Sequence, residues 1–254
     1  MNIVVLVKLV PDLVEELEID ASGSALDTTF MRQIINEPDE HALEQALLLK
    51  ESMGAEVIVI GLGKEGMDDV LFTAAAKGAD RQIRLTPADD GAINNHALAR
   101  AYASVMGQVN PDLILTGVQA HNDLDGALGP ILARLLEWPY VGYLSGISIG
   151  EGSCTVKKEF AGGLIGELEV ELPAVLGIQA AESPPRYVAV SKVRQAMKTV
   201  SIDELPAPAL DTQGGVAIER MLLPEGGAHA EMLEGDVDAI AERLVGLMRE
   251  HGAL

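Results

Sequence analysis

Four short apolar runs, each followed by a stretch with helical periodicity, limit what this chain can become. They lie at residues 3–7, 56–60, 82–85 and 113–115. None is long enough for a helix, and the first, IVVLV, is apolar without alternation, as a strand buried on both faces must be. Between them the apolar positions fall at helical spacing. After Asn36, Pro38 marks a helix start, Asp39 and Glu40 complement the helix dipole, and Ala42, Ala46 and Leu49 form the inner face. Val70, Leu71, Ala74 and Ala75 form the next, stopped by Gly78. Leu98, Ala101, Tyr102 and Val105 make a third, over residues 97–106. Strand and helix in alternation predict an α/β fold with a parallel sheet and right-handed crossovers. A hydrophobic content of 48% is ample for a core, and 3% aromatic residues suit close helix-on-sheet packing better than a β-sandwich.

Residues 111–138, PDLILTGVQAHNDLDGALGPILARLLEW, compress this pattern into one strand, one loop and one helix. Leu128, Ile131, Leu132, Leu135 and Leu136 share a helix face, and Asp125 stands where an N-cap is expected. The loop leaving the carboxyl end of a parallel strand is where such sheets bind ligands, because free N–H groups and the helix dipole favour an anion. Gly126, Ala127 and Gly129 are small enough to let a phosphate approach the backbone. Turn and cap chemistry explains the same residues equally well, and neither GxGxxG nor a P-loop is present. Asp123 and Asp125 would repel a phosphate unless they point away as caps.

Beyond Trp138 the pattern changes. SCTVKKEFAGGLIGELEVEL reads as a hairpin turning at Gly162 and Gly163, and residues 173–178 as a further apolar strand. LEIDASGSALDT, earlier in the chain, reads as two strand-like pieces around a turn, outside the sheet. From Ser183 the chain becomes irregular, with a short basic helical piece at 192–198 and the Pro- and Gly-rich PAPALDTQGG. It ends in an amphipathic helix over 237–248, where Val237, Ile240, Ala241, Leu244 and Leu247 form a stripe with no partner nearby in sequence. The organisation predicted is an α/β domain over 1–182 and, over 183–254, a docking loop, arm and helix packing on another subunit.

A formal charge of −21 argues against nucleic acid or an anionic membrane as partner. The single cysteine, Cys154, excludes an internal disulfide and reads as packing. No run approaches the length of a membrane span and no basic, apolar leader is present, so a cytoplasmic protein without membrane insertion is expected. His41, His96, His121, His229 and His251 lack metal-ligand spacing, and no nucleophile motif occurs. Such a chain is expected to bind a cofactor rather than to act as an enzyme.

Several stretches together resemble the beta subunit of electron transfer flavoproteins: VKLVPD at 7–12, NEPDEHALEQAL at 36–47, AAAKGADR at 74–81, the segment from Gly117 to Ala133, and LPAV followed by PPRY between 172 and 187. The resemblance implies a Rossmann-like domain in a non-catalytic electron carrier subunit. It implies pairing with an alpha subunit that carries FAD, an adenine nucleotide (AMP) in this subunit, and docking of a dehydrogenase or other redox protein through the loop before PPRY. Carried onto this chain, the nucleotide site comprises Leu6, Asn36, Pro38, Asp39, Leu62, Gly117, Gln119, Gly126, Ala127, Leu128 and Gly129. A bifurcating-type subunit with its own FAD and a stand-alone nucleotide-binding protein of related fold are the alternatives. Asn122 and Ala127 stand where the family commonly has aspartate and glutamine, and Ala180 to Ser183 replace its usual docking-loop residues.

Overall fold

The computed structural model describes residues 1–88, 93–224, 226–227, 230 and 232–254. In chain order its elements are β1 (Asn2–Val7), β2 (Leu9–Pro11), β3 (Gln33–Ile35), α1 (Glu37–Met53), β4 (Glu56–Leu62), α2 (Met67–Lys77), β5 (Arg81–Pro87), α3 (Asn95–Val109), β6 (Leu113–Gly117), α4 (Leu128–Leu136), β7 (Tyr140–Ile149), β8 (Ser153–Phe160), β9 (Leu164–Glu171), β10 (Ala174–Ile178), α5 (Val190–Thr199), β11 (Asp203–Ala207) and α6 (Val237–Glu250). A nine-stranded sheet has the order β11-β5-β4-β1-β6-β10-β7-β8-β9. From β11 to β7 the strands run parallel, and β8 and β9 append an antiparallel hairpin.

Alternation along β1 divides the core. Ile3, Val5 and Val7 pack with Ala42, Leu47, Met67 and Leu71 of α1 and α2 on one face. Val4 and Leu6 pack with Leu98, Tyr102 and Leu132 of α3 and α4 on the other. Burying both faces is why this strand contains no polar residue after Asn2. The chain leaves β1 towards α1 on the first face and leaves the neighbouring β6 towards α4 on the second. The carboxyl ends of β1 and β6 therefore flank a topological switch point, where adjacent loops diverge and open a crevice.

In the nine-stranded sheet, two strands have no clear signal in the sequence. In β7, Gly142, Ser145 and Gly146 interrupt the alternation, and its pairing is irregular beside Tyr143, at φ +63°. In β11, DELPA, two acidic residues and a proline hide the strand, yet backbone pairing to β5 and burial of Ala207 place it at the sheet edge. That strand falls within the segment otherwise read as an extended arm. The 13–34 excursion contains an isolated antiparallel bridge, Ile19 to Leu26, and β3 at its end pairs antiparallel with β2. Helix α6 buries no residue.

Candidate functional site

At the switch point the carboxyl ends of β4, β1 and β6 lie side by side, which brings together Leu62, Leu6 and Gly117. Leu6 and Leu62 are buried, so these side chains belong to the core and only their backbone faces the crevice edge. Asn36, the N-cap of α1, does not cap its own helix with its side chain. Its amide instead donates to the carbonyl of Gln119 at 3.1 Å, tying α1 to the loop after β6. Pro38 sits in the first helical turn, where a missing N–H is harmless.

Asp39 joins three elements. Its carboxylate accepts the N–H of Lys8 at 2.8 Å and the N–H of Gly117 at 2.8 Å, while its backbone lies in the first turn of α1. A Cβ on Gly117 would strike Asp39 and come within 2.7 Å of Pro38 Cβ, so only glycine lets β6 end this close to α1. Burial pushes the Asp39 carboxyl up to about 7, against the pull of those N–H groups, Asn36 and Lys8. Tyr102 of α3 is also raised, by burial first and then by the Asp39 charge.

Lys8, the first residue beyond β1, reaches into the loop after β6. Its Nζ donates to Asp123 Oδ1 at 2.7 Å and to Asn95 Oδ1 at 3.4 Å. Asp123 Oδ2 accepts the N–H of Ala120, so both of its oxygens are occupied and its charge is paired. The amide of Asn95 donates to the carbonyl of Gly126 at 2.6 Å, and the Asn95 N–H meets Asp125 Oδ1 at 3.4 Å. Asp125 is therefore not the N-cap of α4. Gly126, at φ +96°, turns the chain between them, leaving Asp125 against the N-terminus of α3 and Ala127 as the N-cap. Gln119 is exposed and its Oε1 accepts from the Tyr143 hydroxyl at 3.4 Å.

The start of α4 is open. Ala127 has no side-chain acceptor, so the N–H groups of Leu128 and Gly129 receive no cap, and Pro130 has none to offer. A Cβ on Gly129 would lie 2.7 Å from Tyr140 Cε2 and 2.9 Å from Thr116 Oγ1. Thr116 Oγ1 is itself buried without a hydrogen-bond partner. Tyr140 is pushed up to about 12, mainly by burial and then by Tyr143, and so stays neutral. An uncapped helix start, an orphaned hydroxyl beneath it and a paired Asp123 suit a phosphate group held by backbone N–H groups.

The sequence does not mark Lys8, Asn95, Thr116 or Tyr140 as site residues. Lys8 had one available signal, a cation directly after a buried strand that ends at a switch point. Asn95 had none, because it meets Gly126 only through folding. Among the described residues no cluster of three His, Cys, Asp or Glu side chains is placed to hold a metal ion. His41 accepts the N–H of Ala181, His121 and His251 are exposed, His96 packs beside Gly214, and His229 lies outside the described residues.

The segment before and within PPRY is clamped to α1. Glu182 and Gln45 exchange two hydrogen bonds, at 3.0 and 3.1 Å. Arg186 binds Glu44 through both its backbone N–H and its guanidinium, and reaches Glu51 at 2.6 Å. Burial would raise the Glu44 carboxyl, but Arg186 outweighs it and holds it below the ordinary range.

Residues 27–210 match the model of the electron transfer flavoprotein domain family. Among curated proteins, the chain is 32% identical to the electron transfer flavoprotein subunit beta of Methylophilus methylotrophus, over 98% of both chains. It is 31% identical to the protein of that name from Syntrophomonas wolfei, over 98% of this chain and 97% of the other. The mitochondrial electron transfer flavoprotein subunit beta of Oryza sativa subsp. japonica is 30% identical, over 96% of this chain and 97% of the other.

Proposed function

Because the chain belongs to the electron transfer flavoprotein beta family, we propose that it is the electron-transfer subunit of a heterodimer, holding AMP while FAD sits mainly in an alpha subunit. FAD supplies the redox chemistry, and a dehydrogenase or other redox protein delivers the electrons. This chain's residues bind and position.

The observation that carries the AMP assignment is the uncapped start of α4 at the switch point. Backbone N–H groups of Leu128 and Gly129 would hold the phosphate, with the backbone at Leu6, Leu62 and residues 36–39 and Gln119 bordering the rest. Asp39 is suited to this position because a carboxyl pushed up to about 7 is partly neutral at physiological pH and repels a phosphate less. AMP is preferred to a second FAD because Asp125, which has a buried oxygen without a partner, is harder to accommodate beside a diphosphate than a monophosphate. Among the described residues no helix is long and apolar enough to cross a membrane.

Denaturing the purified complex and separating the released nucleotides tests this reading. One FAD and one AMP per complex are expected. Two FAD would sink the AMP assignment, FAD alone would mean that this subunit holds no nucleotide, and a colourless homodimer would favour a stand-alone binder.

A further inference from the structure

The arm between β11 and α6 touches both loops that leave the switch point. After β11, Leu210 packs against the α3 side of the core. Arg100 of α3 then donates to the carbonyls of Asp211 and Gln213, each at 2.7 Å, and Asn94 donates to the carbonyl of Thr212 at 2.9 Å. Three consecutive carbonyls are thus held by two side chains from one helix start. Gly214 follows with φ +88° beside His96, and Gly215 lies directly over Asn94 and Asp125; a Cβ there would strike Asn94 and stand 2.7 Å from Asp125 Oδ2. Further along, the N–H of Met221 donates to the carbonyl of Gly23 at 2.7 Å, at the tip of the excursion that follows β1.

The α3 start therefore has two jobs on opposite sides. Asn94 and Arg100 grip the arm, while Asn95 grips Gly126, Asp125 and, through Lys8, Asp123. Asp125 lies between these contacts, with one oxygen on the Asn95 N–H and the other against Gly215. Lifting the arm would expose that second oxygen and remove the surface that presses the loop onto α3. The core holds only the start of the loop, at Val118 and Ala120, whereas Asn122, Leu124 and Gly126 farther along are all exposed.

We propose that residues 211–221 are a latch that holds the loop of residues 118–127 against the strand ends and so gates exchange of the bound adenine nucleotide. The gating part rests on the nucleotide reading above, whereas the latch itself does not. Since the arm continues into the amphipathic helix α6, which buries no residue in this chain, a subunit that captures α6 would also hold the latch down.

The experiment uses the full chain in its purified complex, with Arg100→Ala to release two carbonyls and Gly215→Val to wedge the arm off Asp125. Arg100 is partly exposed, so its loss leaves the core intact. Amide hydrogen exchange is followed at residues 118–129, and dissociation of AMP is followed by dilution. Arg100→Ala is expected to lower loop protection about tenfold, as the loss of a charge-assisted pair of bonds implies, Gly215→Val to lower it by prising the arm from Asp125, and both to speed AMP release in step with the lost protection. Unchanged protection in either variant overturns the latch. If the wild-type complex holds no AMP, the nucleotide reading fails and exchange alone decides the latch. If it holds AMP but the variants release it at the wild-type rate, gating is overturned while the cofactor assignment survives.

Discussion

Neutralising Asp39 by acid should stabilise the fold, the reverse of the usual carboxylate. Its side chain is buried at 5% exposure, and its carboxyl is raised from 3.8 to about 7. The folded protein then binds this proton more tightly than the unfolded chain does. Its contribution is complete below about pH 4, declines as pH rises through about 7, and is lost above that. A displacement of roughly three pH units at about 1.4 kcal/mol each gives on the order of 4 kcal/mol. Asp39→Asn isolates this group, because every other titration is common to both proteins. The amide itself costs about 1–3 kcal/mol at all pH values, since its NH2 confronts one of two backbone N–H donors. Urea unfolding of nucleotide-free protein from pH 4 to 8 should show the wild-type advantage falling by about 4 kcal/mol and changing sign, or roughly 2 M in midpoint at a slope of about 2 kcal/mol/M. A gap that stays constant with pH would refute the reasoning. It would mean that the two N–H groups and Lys8 outweigh burial and keep Asp39 charged.

Ala127→Asp should raise the stability of nucleotide-free protein by about 1 kcal/mol, by capping α4, while abolishing AMP binding, since its carboxylate would occupy the phosphate position; a wild-type AMP content in the purified variant would place the phosphate elsewhere. Arg186→Ala strips the half-exposed partner from the buried Glu44 and should cost about 2–3 kcal/mol, with faster proteolysis of the 180–190 segment; unchanged melting would show that the clamp contributes nothing. Replacing Ile240 and Leu244 of α6 by Asp should weaken alpha-subunit association by on the order of several kcal/mol while leaving the sheet intact, because the helix buries nothing within this chain; association at wild-type affinity, measured by analytical ultracentrifugation, would assign the helix another purpose.

The sequence alone was enough for the alternation of β1, α1, β4, α2, β5, α3, β6 and α4, because hydrophobic period, proline at α1 and glycine beyond α2 are local signals that each element carries itself. It also located the loop at which a ligand is expected. Tertiary structure decided what those loop residues do. Asp125 has the composition of an N-cap, but Gly126 turns it towards α3, so Ala127 holds that position and the α4 start stays open. Lys8 pairs with Asp123 across 115 residues of chain, and Asn95 reaches Gly126 across 31. β11 is a strand only because the edge of β5 offers its backbone partners. Such contacts leave no periodic trace, since their free energy comes from groups that become neighbours only once the sheet has formed.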